Sequence, residues 1–122
     1  MPVTVEFEDI DAYGIVNHAR IVSFLERARV RFFAELGMEL LGGGAHMVLY
    51  ELSVRYKKTA RLLDALEVRV SLKSIDDLRL VLVYSVRRSG ELIATATTSL
   101  AFVDAATKSI AQIPDEVRRA LE

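Results

Sequence analysis

The sequence predicts an α+β fold, in which one long helix covers one face of an antiparallel sheet of about five strands. Residues 17–36 have apolar side chains at helical spacing and would form a rod about 30 Å long. Four later stretches have the length and apolar content of strands, and short turn sequences separate the last three. Only two prolines occur, Pro2 and Pro114, so the residues between them can form continuous helix and sheet.

The composition limits the classes of protein to which the chain can belong. Its 122 residues suit one domain, predicted to span residues 1–122, and 52% apolar residues are enough for a packed core. Sixteen Lys and Arg residues against 17 Asp and Glu residues give a net charge of −1, which argues against nucleic acid or an anionic membrane as the main partner. The absence of cysteine excludes disulfides, thiolate metal sites and cysteine nucleophiles.

The sequence carries no signal for membrane insertion or export. No apolar run is long enough to span a bilayer. A signal peptide begins with basic residues, whereas the start of this chain is acidic, with Glu6, Glu8, Asp9 and Asp11. We therefore expect a soluble, cytoplasmic protein without a membrane span.

The first two elements are a strand and the long helix. Residues 3–8 alternate apolar and polar side chains as a strand does, and a turn-like stretch follows at residues 9–14. Asn17 can cap the helix, and Gly37 suits the left-handed position just after its end. One face of the helix is apolar, with Ile21, Phe24, Leu25, Ala28 and Phe32. A second face carries Arg20, Arg27 and Arg31.

The later elements are mostly strands. The run Gly42-Gly43-Gly44 follows a helix and precedes a strand, the reverse of the order in a phosphate-binding loop, so we interpret it as a connection. Pro114 suits the start of a short helix, because acidic residues follow it directly and arginines come later. Strands are predicted at 47–57, 65–75, 78–88 and 91–103, with turns at Asp76-Asp77 and Arg88-Ser89-Gly90.

The third of these strands predicts an oligomer. It is apolar on both faces, with Leu80, Leu82 and Tyr84 on one and Val81 and Val83 on the other. A single long helix can cover only one face of the sheet, so we expect another subunit to cover the other.

Common catalytic devices are absent from the sequence. There is no Gly-x-Ser-x-Gly nucleophile elbow, and no serine has a histidine or an acid at a local spacing that would indicate a catalytic serine. His18 and His46 lie far apart in the sequence and show no paired-ligand spacing, so a zinc site is not expected. His46 is interpreted as a surface or loop residue.

One segment can support acyl transfer. Asp11 comes a few residues before the helix, whose first-turn amides carry partial positive charge. A carboxylate beside free amides can attack a carbonyl or deprotonate a water while the amides hold the oxyanion. His18 could assist as a hydrogen-bond partner. Asp and Asn before a helix more often cap it or form Asx turns, so the residues alone leave both interpretations open.

The same segment resembles a family signature. The spacing of Phe7, Asp9, Asp11, Gly14, Ile15, Val16 and His18 is similar to that of the 4-hydroxybenzoyl-CoA thioesterase family of hot-dog proteins, and closest to its bacterial subgroup associated with the Tol–Pal system. Weaker similarity continues through the helix body at residues 24–29 and through later segments around Val54-x-Tyr56, Ala60-Arg61-Leu62, Leu100-x-Phe102-Val103-Asp104 and Ile113-Pro114.

The resemblance implies a hot-dog fold, a helix wrapped by an antiparallel sheet, in homodimers or homotetramers. It implies hydrolysis of acyl-CoA thioesters at a site between two subunits, without a metal or a cofactor, since coenzyme A is part of the substrate. Carried over by position, Asp11 is the nucleophile or general base. The backbone amide of His18 polarises the carbonyl, and its side chain assists Asp11. The expected substrate-binding residues of this segment are Tyr13, Gly14, Val16 and Asn17.

The residues that hold the nucleotide of coenzyme A are less clearly marked. Lys58, Arg61 and Arg79 are the candidate cations for its phosphates, with ordinary surface positions as the alternative. Asp76 and Asp77 would repel phosphate. Thr59 stands where the subgroup usually has proline, which affects only the stiffness of the loop.

Two other functions remain beside the thioesterase, and one other residue is a candidate for its catalytic carboxylate. A module that binds acyl-CoA or acyl-carrier protein without catalysis would have the same fold. A hot-dog dehydratase or hydratase needs a different pairing of His and acid, which the sequence lacks. Some hot-dog enzymes place their carboxylate along the helix, where Glu26 is the candidate; an ion pair of Glu26 with Arg29 or Arg27 is the simpler interpretation. The sequence does not identify the acyl group.

Overall fold

The computed structural model describes residues 1–38 and 44–122. Gly42 and Gly43 of the predicted glycine connection lie outside these residues, and Gly44 directly precedes a strand. The elements in chain order are β1 (Pro2–Thr4), a 3-10 turn (Phe7–Asp9), α1 (His18–Glu35), β2 (Ala45–Tyr56), β3 (Ala65–Ile75), β4 (Arg79–Arg88), β5 (Glu91–Asp104), β6 (Ile110–Ala111) and α2 (Asp115–Leu121).

The strands form one antiparallel sheet in the order β1-β3-β4-β5-β2, and β6 adds a short pairing to β5. The four long strands lie within two residues of their predicted bounds, and β6 was not predicted. Its two residues pair with the end of β5, a contact too short to leave an alternating pattern in the sequence. The predicted α+β architecture, one long helix on a sheet of about five strands, is confirmed.

Local signals set both ends of α1 as predicted. The Asn17 side-chain oxygen accepts a hydrogen bond from the Ala19 amide at 2.9 Å. At the other end, Gly37 has a φ of +80°, and its amide donates to the Ala34 carbonyl at 3.0 Å. The Met38 amide donates to the Phe33 carbonyl at 3.1 Å, which completes a Schellman motif.

The apolar face of α1 packs on the sheet, with one difference from the prediction. Ile21, Phe24, Leu25 and Ala28 are buried, but Phe32 is only partly buried and Phe33 is buried instead. Phe33 continues the row through Leu25 and Arg29 at four-residue spacing, and this row faces the core at the end of the helix. The two phenyl rings contact edge to face, with centroids 5.2 Å apart.

The prediction of a strand over residues 3–8 is wrong beyond Thr4. The carboxylate of buried Asp9 accepts the Glu6 amide at 2.9 Å, and the Asp9 amide donates to the Glu6 carbonyl at 2.9 Å. These two bonds bend residues 7–9 into a 3-10 turn, which leaves Phe7 79% exposed instead of buried. A local side-chain bond thus outweighs the alternating pattern.

The two faces of β4 differ as the sequence predicts. Leu80, Leu82 and Tyr84 are buried in the core, and the Tyr84 hydroxyl is hydrogen-bonded to that of Thr98 at 2.7 Å. Val81 and Val83 on the opposite face are only partly buried. α2 begins directly after Pro114 and buries Val117.

The β2 edge of the sheet is open. Among the described strands β2 pairs with β5 alone, so its other edge has no partner. Large apolar side chains along it are between a third and a half exposed: Val48, Leu49, Tyr50, Leu52 and Tyr56. No helix in the described part of the chain has the length and the hydropathy to cross a membrane.

Candidate active site

A tight loop, residues 10–16, precedes α1 and carries Asp11. Ile10 and Val16 pair across its base, and the Asp11 amide donates to the Ile15 carbonyl at 2.9 Å. Gly14 closes the loop with its amide on the Asp11 carbonyl at 3.0 Å and has a φ of +79°. A side chain at Gly14 would meet no atom within 4 Å, so glycine is required there for its backbone conformation and not for space.

The Asp11 carboxylate forms an Asx turn. Its Oδ1 accepts the Tyr13 amide at 2.8 Å, and the side chain is half-buried. Within residues 1–38 and 44–122 no second group donates to this carboxylate, which leaves Oδ2 available. Asp11 does not cap the helix, because Asn17 holds that position. The Asx turn of Asp11 and the helix cap of Asn17 are both present, and Asp11 still has one carboxylate oxygen that accepts no hydrogen bond from the described residues.

The amides of the segment are used unequally. The Tyr13, Gly14, Val16 and Asn17 amides all bond to protein acceptors: Asp11 Oδ1, the Asp11 carbonyl, the Ala60 carbonyl and the Asp9 carbonyl. Asn17 also accepts the Ala19 and Arg20 amides. The His18 amide, first in α1, has no acceptor in the part of the chain that the structure describes. A free amide at the positive end of a helix suits a developing oxyanion.

Tyr56, at the end of β2, holds the residue that carries this amide. Its hydroxyl donates to the His18 carbonyl at 2.8 Å, and the two rings meet edge to face with centroids 6.3 Å apart. Burial raises the pKa of Tyr56, so the hydroxyl remains a donor at neutral pH. In the sequence Tyr56 belongs only to a segment of weaker family similarity, because nothing local indicates that β2 ends beside the start of α1.

Asp9 ties the two sides of the loop together. Its carboxylate, 5% exposed, holds the Glu6 amide and lies 3.8 Å from Arg20 Nε, while its carbonyl accepts the Asn17 amide at 2.9 Å. The motif match included Asp9 without a role. The structure gives it one, which is to fix the chain before and after the Asp11 loop.

The candidate phosphate-binding cations do not lie together within one chain. Arg61 pairs with Ile15 beside the Asp11 loop, and Lys58 lies in the same turn, with its Nζ 2.8 Å from Glu91. The Lys58 amide donates to the Ile93 carbonyl on β5, whereas Arg79 pairs with Ala101 on the same strand. These two positions on β5 are eight residues apart, or about 26 Å. The Tyr50 hydroxyl and Asp76 raise the pKa of Arg79 there.

Other candidates do not enter this site. Glu26 is exposed and forms no ion pair among the described residues, so the predicted pair with Arg29 or Arg27 is wrong. Arg29 instead donates to the Tyr84 hydroxyl at 3.4 Å, and Arg27 lies over the Phe24 ring at 5.6 Å. His46 is exposed on β2, as expected of a surface residue. The described residues contain no cluster of three or more His, Asp or Glu side chains that could hold a metal.

Comparison with known proteins identifies the family. The model of the thioesterase-like superfamily matches residues 5–121. The acyl-CoA thioesterase YbgC of Haemophilus influenzae is 30% identical over 98% of this chain and 90% of its own. The chain belongs to the thioesterase-like superfamily. The match to YbgC is consistent with the Tol–Pal-associated subgroup that the Asp11 motif resembles.

Solved structures of similar proteins confirm the hot-dog fold of this superfamily member. A hypothetical protein from Aquifex aeolicus aligns with a TM-score of 0.94 at 28% identity, covering 100% of this chain and 98% of its own. A 1,4-dihydroxy-2-naphthoyl-CoA thioesterase from Synechocystis aligns with a TM-score of 0.92 at 19% identity, covering 99% and 93%, and shows the fold alone.

The conformation of Gly14 gives a stability prediction. Gly14→Ala places a side chain in the left-handed region, and the free energy of unfolding should fall by about 1–2 kcal/mol. Gly44→Ala is the matched control, since its φ is outside that region and a side chain there also has open space. Urea unfolding of both variants measures the difference. Equal stabilities would show that the loop does not depend on the backbone conformation of Gly14.

Proposed function

We propose that this chain hydrolyses an acyl-CoA thioester to the free acid and coenzyme A, with Asp11 as the reactive carboxylate and the His18 amide as the oxyanion site. One observation carries the proposal: the available Asp11 oxygen and the free His18 amide belong to one segment at the positive end of α1. The substrate class is that in the name of the H. influenzae relative.

The chemistry has two routes. As a general base, Asp11 removes a proton from water while the hydroxyl oxygen adds to the thioester carbonyl carbon. The negative carbonyl oxygen then accepts a hydrogen bond from the His18 amide. When the oxyanion collapses, the carbon–sulfur bond breaks and the thiolate of coenzyme A takes a proton. As a nucleophile, Asp11 displaces the thiolate and forms an anhydride, which water hydrolyses to regenerate the carboxylate.

Neighbouring residues have supporting parts in this proposal. The exposed imidazole of His18 assists Asp11, and the Tyr56 hydroxyl fixes the peptide after the oxyanion amide. The Tyr13, Gly14, Val16 and Asn17 amides are already bonded within the protein, so these four residues shape the substrate surface without donating those amides to the substrate. Lys58 and Arg61 lie on the adjoining turn and face the coenzyme A phosphates. Arg79 joins them only as a residue of a second subunit.

We also propose that the site is completed in a homo-oligomer in the cytoplasm. The open edge of β2 runs for 12 residues beside exposed apolar side chains, and such an edge favours pairing with another strand. An antiparallel pair of β2 strands would bury it in a dimer. Val81 and Val83, partly buried on the uncovered face, support a further contact between dimers as the route to a tetramer.

The test of catalysis is thiol release from short, long and aromatic acyl-CoA esters by the wild type and Asp11→Asn. Asparagine keeps the side-chain oxygen that accepts the Tyr13 amide, so the fold should be retained. It cannot act as base or nucleophile, so kcat should fall by about 100-fold or more. The released thiol is measured with a thiol-reactive dye, and the protein itself has no cysteine to react with that dye. Unchanged kcat in Asp11→Asn would remove Asp11 from the mechanism.

The same panel separates hydrolysis from binding alone. If the wild type binds acyl-CoA esters but releases no thiol from any of them, the chain is a binding module and the proposed reaction is wrong. Circular dichroism of both proteins shows that a loss of turnover is not a loss of folding.

The test of the oligomer is the mass in solution, measured by light scattering after size exclusion. Wild type should elute at twice or four times the mass of one chain. Val48→Lys places a charge on the open edge and should shift the mass toward one chain, with loss of thiol release. Val30→Lys is the control, because Val30 is a similarly exposed apolar residue on α1. A wild type that is fully active as a single chain would contradict the shared site.

A further inference from the structure

The turn between β2 and β3, residues 57–64, carries the Asp11 loop. The Val16 amide donates to the Ala60 carbonyl at 2.8 Å, and Ile15 forms an antiparallel bridge with Arg61. Ala60 itself is buried in the core at 2% exposure. Val16 is separated from the free His18 amide by one residue, so the position of this turn sets the position of the proposed oxyanion site.

Asp64 closes the turn on itself. Its Oδ2 accepts the Arg61 amide at 2.8 Å, and its own amide donates to the Arg61 carbonyl at 3.0 Å. The bond from the Arg61 amide and the contact with Arg88 hold the pKa of Asp64 below its ordinary value, so the carboxylate is charged at neutral pH.

Arg88, at the end of β4, joins both ends of the turn to the next hairpin. One guanidinium nitrogen donates to the Thr59 carbonyl at 3.1 Å and to Asp64 Oδ2 at 2.7 Å. The other donates to Glu91 Oε1 at 2.7 Å, and Glu91 also pairs with Lys58 at 2.8 Å. The Arg88 side chain is 28% exposed, so water shields these contacts less than it shields an ordinary surface pair. Only a planar, two-armed donor can make all three contacts together.

We propose that Arg88 is a positioning residue for the hydrolysis, because it holds the turn against which the Asp11 loop and the His18 amide are placed. The proposal rests on the proposed function. Arg88 is not placed in contact with the substrate. It holds Asp64 and the Thr59 carbonyl, which fixes the turn that contains Ala60. The Ala60 carbonyl in turn holds the Val16 amide. A shift of about 1 Å in a reacting group can lower turnover by about 100-fold, so a remote anchor of this kind affects rate more than binding.

Replacement of Arg88 by methionine tests the proposal, with the neighbouring arginine as a matched control. Arg88→Met keeps side-chain volume but removes all three contacts. Its kcat should fall by about 10-fold to 100-fold, with KM within about twofold of wild type. Arg87→Met removes an exposed arginine of the same hairpin whose guanidinium bonds only to the Gly90 carbonyl among the described residues, and its kcat should not change. A folded Arg88→Met with wild-type kcat, or an equal loss in Arg87→Met, overturns the proposal.

A second variant covers the case in which Arg88→Met does not fold. Arg88→Lys retains the charge and one donor group, so it can pair with Asp64 or Glu91 but not span both. It should fold and show a kcat between those of wild type and Arg88→Met. Wild-type kcat in Arg88→Lys would overturn the requirement for a two-armed donor.

Amide exchange separates the failure of this proposal from the failure of the proposed function. The Val16 amide should exchange with solvent at least about 10-fold faster in Arg88→Met than in wild type or Arg87→Met, because its acceptor on Ala60 is no longer held. This measurement requires no activity. If wild type releases no thiol, the proposed function is wrong and Val16 exchange still tests Arg88. If Val16 exchange is the same in all three proteins, the positioning role is wrong whether or not the wild type is active.

Discussion

The hydrogen bond from the Val16 amide to the Ala60 carbonyl is the contact on which the candidate site depends. It joins the loop before the long helix to the turn between two strands that lie far along the sequence. Asp9 secures the other side of the loop through the Asn17 amide. With both sides fixed, the Asp11, Tyr13 and Gly14 amides bond to acceptors within the loop, and the first amide of α1 has no acceptor among the described residues. The His18 amide is therefore available for a substrate because neighbouring amides of the segment are bonded to other acceptors.

The electrostatics of the site follow from the same arrangement. The N-terminal end of α1 carries partial positive charge, which favours a developing oxyanion. On the adjoining turn, Lys58 and Arg88 are balanced by Glu91 and Asp64. Lys58 pairing lowers the pKa of Glu91, as does the Arg88 contact, so that group is ionised at neutral pH. A phosphate of coenzyme A would have to compete with Glu91 for Lys58. Arg61 uses its backbone amide to bond to Asp64, and its side chain is exposed.

Most of the fold could be predicted from the sequence because its signals are local. Asn17 and Gly37 mark the helix ends through bonds to residues within a few positions, and alternating side chains mark the long strands. The errors arose where a specific contact outweighed a pattern. Asp9 bends the first strand into a turn at Phe7, and Phe33 takes the core position expected of Phe32.

The candidate site could be predicted only in part, for the same physical reason. Asp11 and His18 are near one another in sequence, so their segment was identified, although the residues alone did not separate catalysis from an Asx turn. Tyr56 and Arg88 act across 38 and 24 residues, on His18 and Asp64, and no spacing in the sequence indicates such contacts. Charge alone groups Arg79 with Lys58 and Arg61, but the register of β4 on β5 places Arg79 toward the opposite end of these strands.

The most direct test of the central claim is the amide resonance of His18 during titration with an acyl-CoA ketone analogue, in which a methylene group replaces the thioester sulfur. The carbonyl is retained but cannot be hydrolysed at that bond. If the free amide at the start of α1 holds the carbonyl oxygen, the His18 amide proton should shift strongly downfield on binding. The Val16 and Ala19 amides, already bonded within the protein, should move little. Saturable binding of the analogue with no change at His18 would contradict the account.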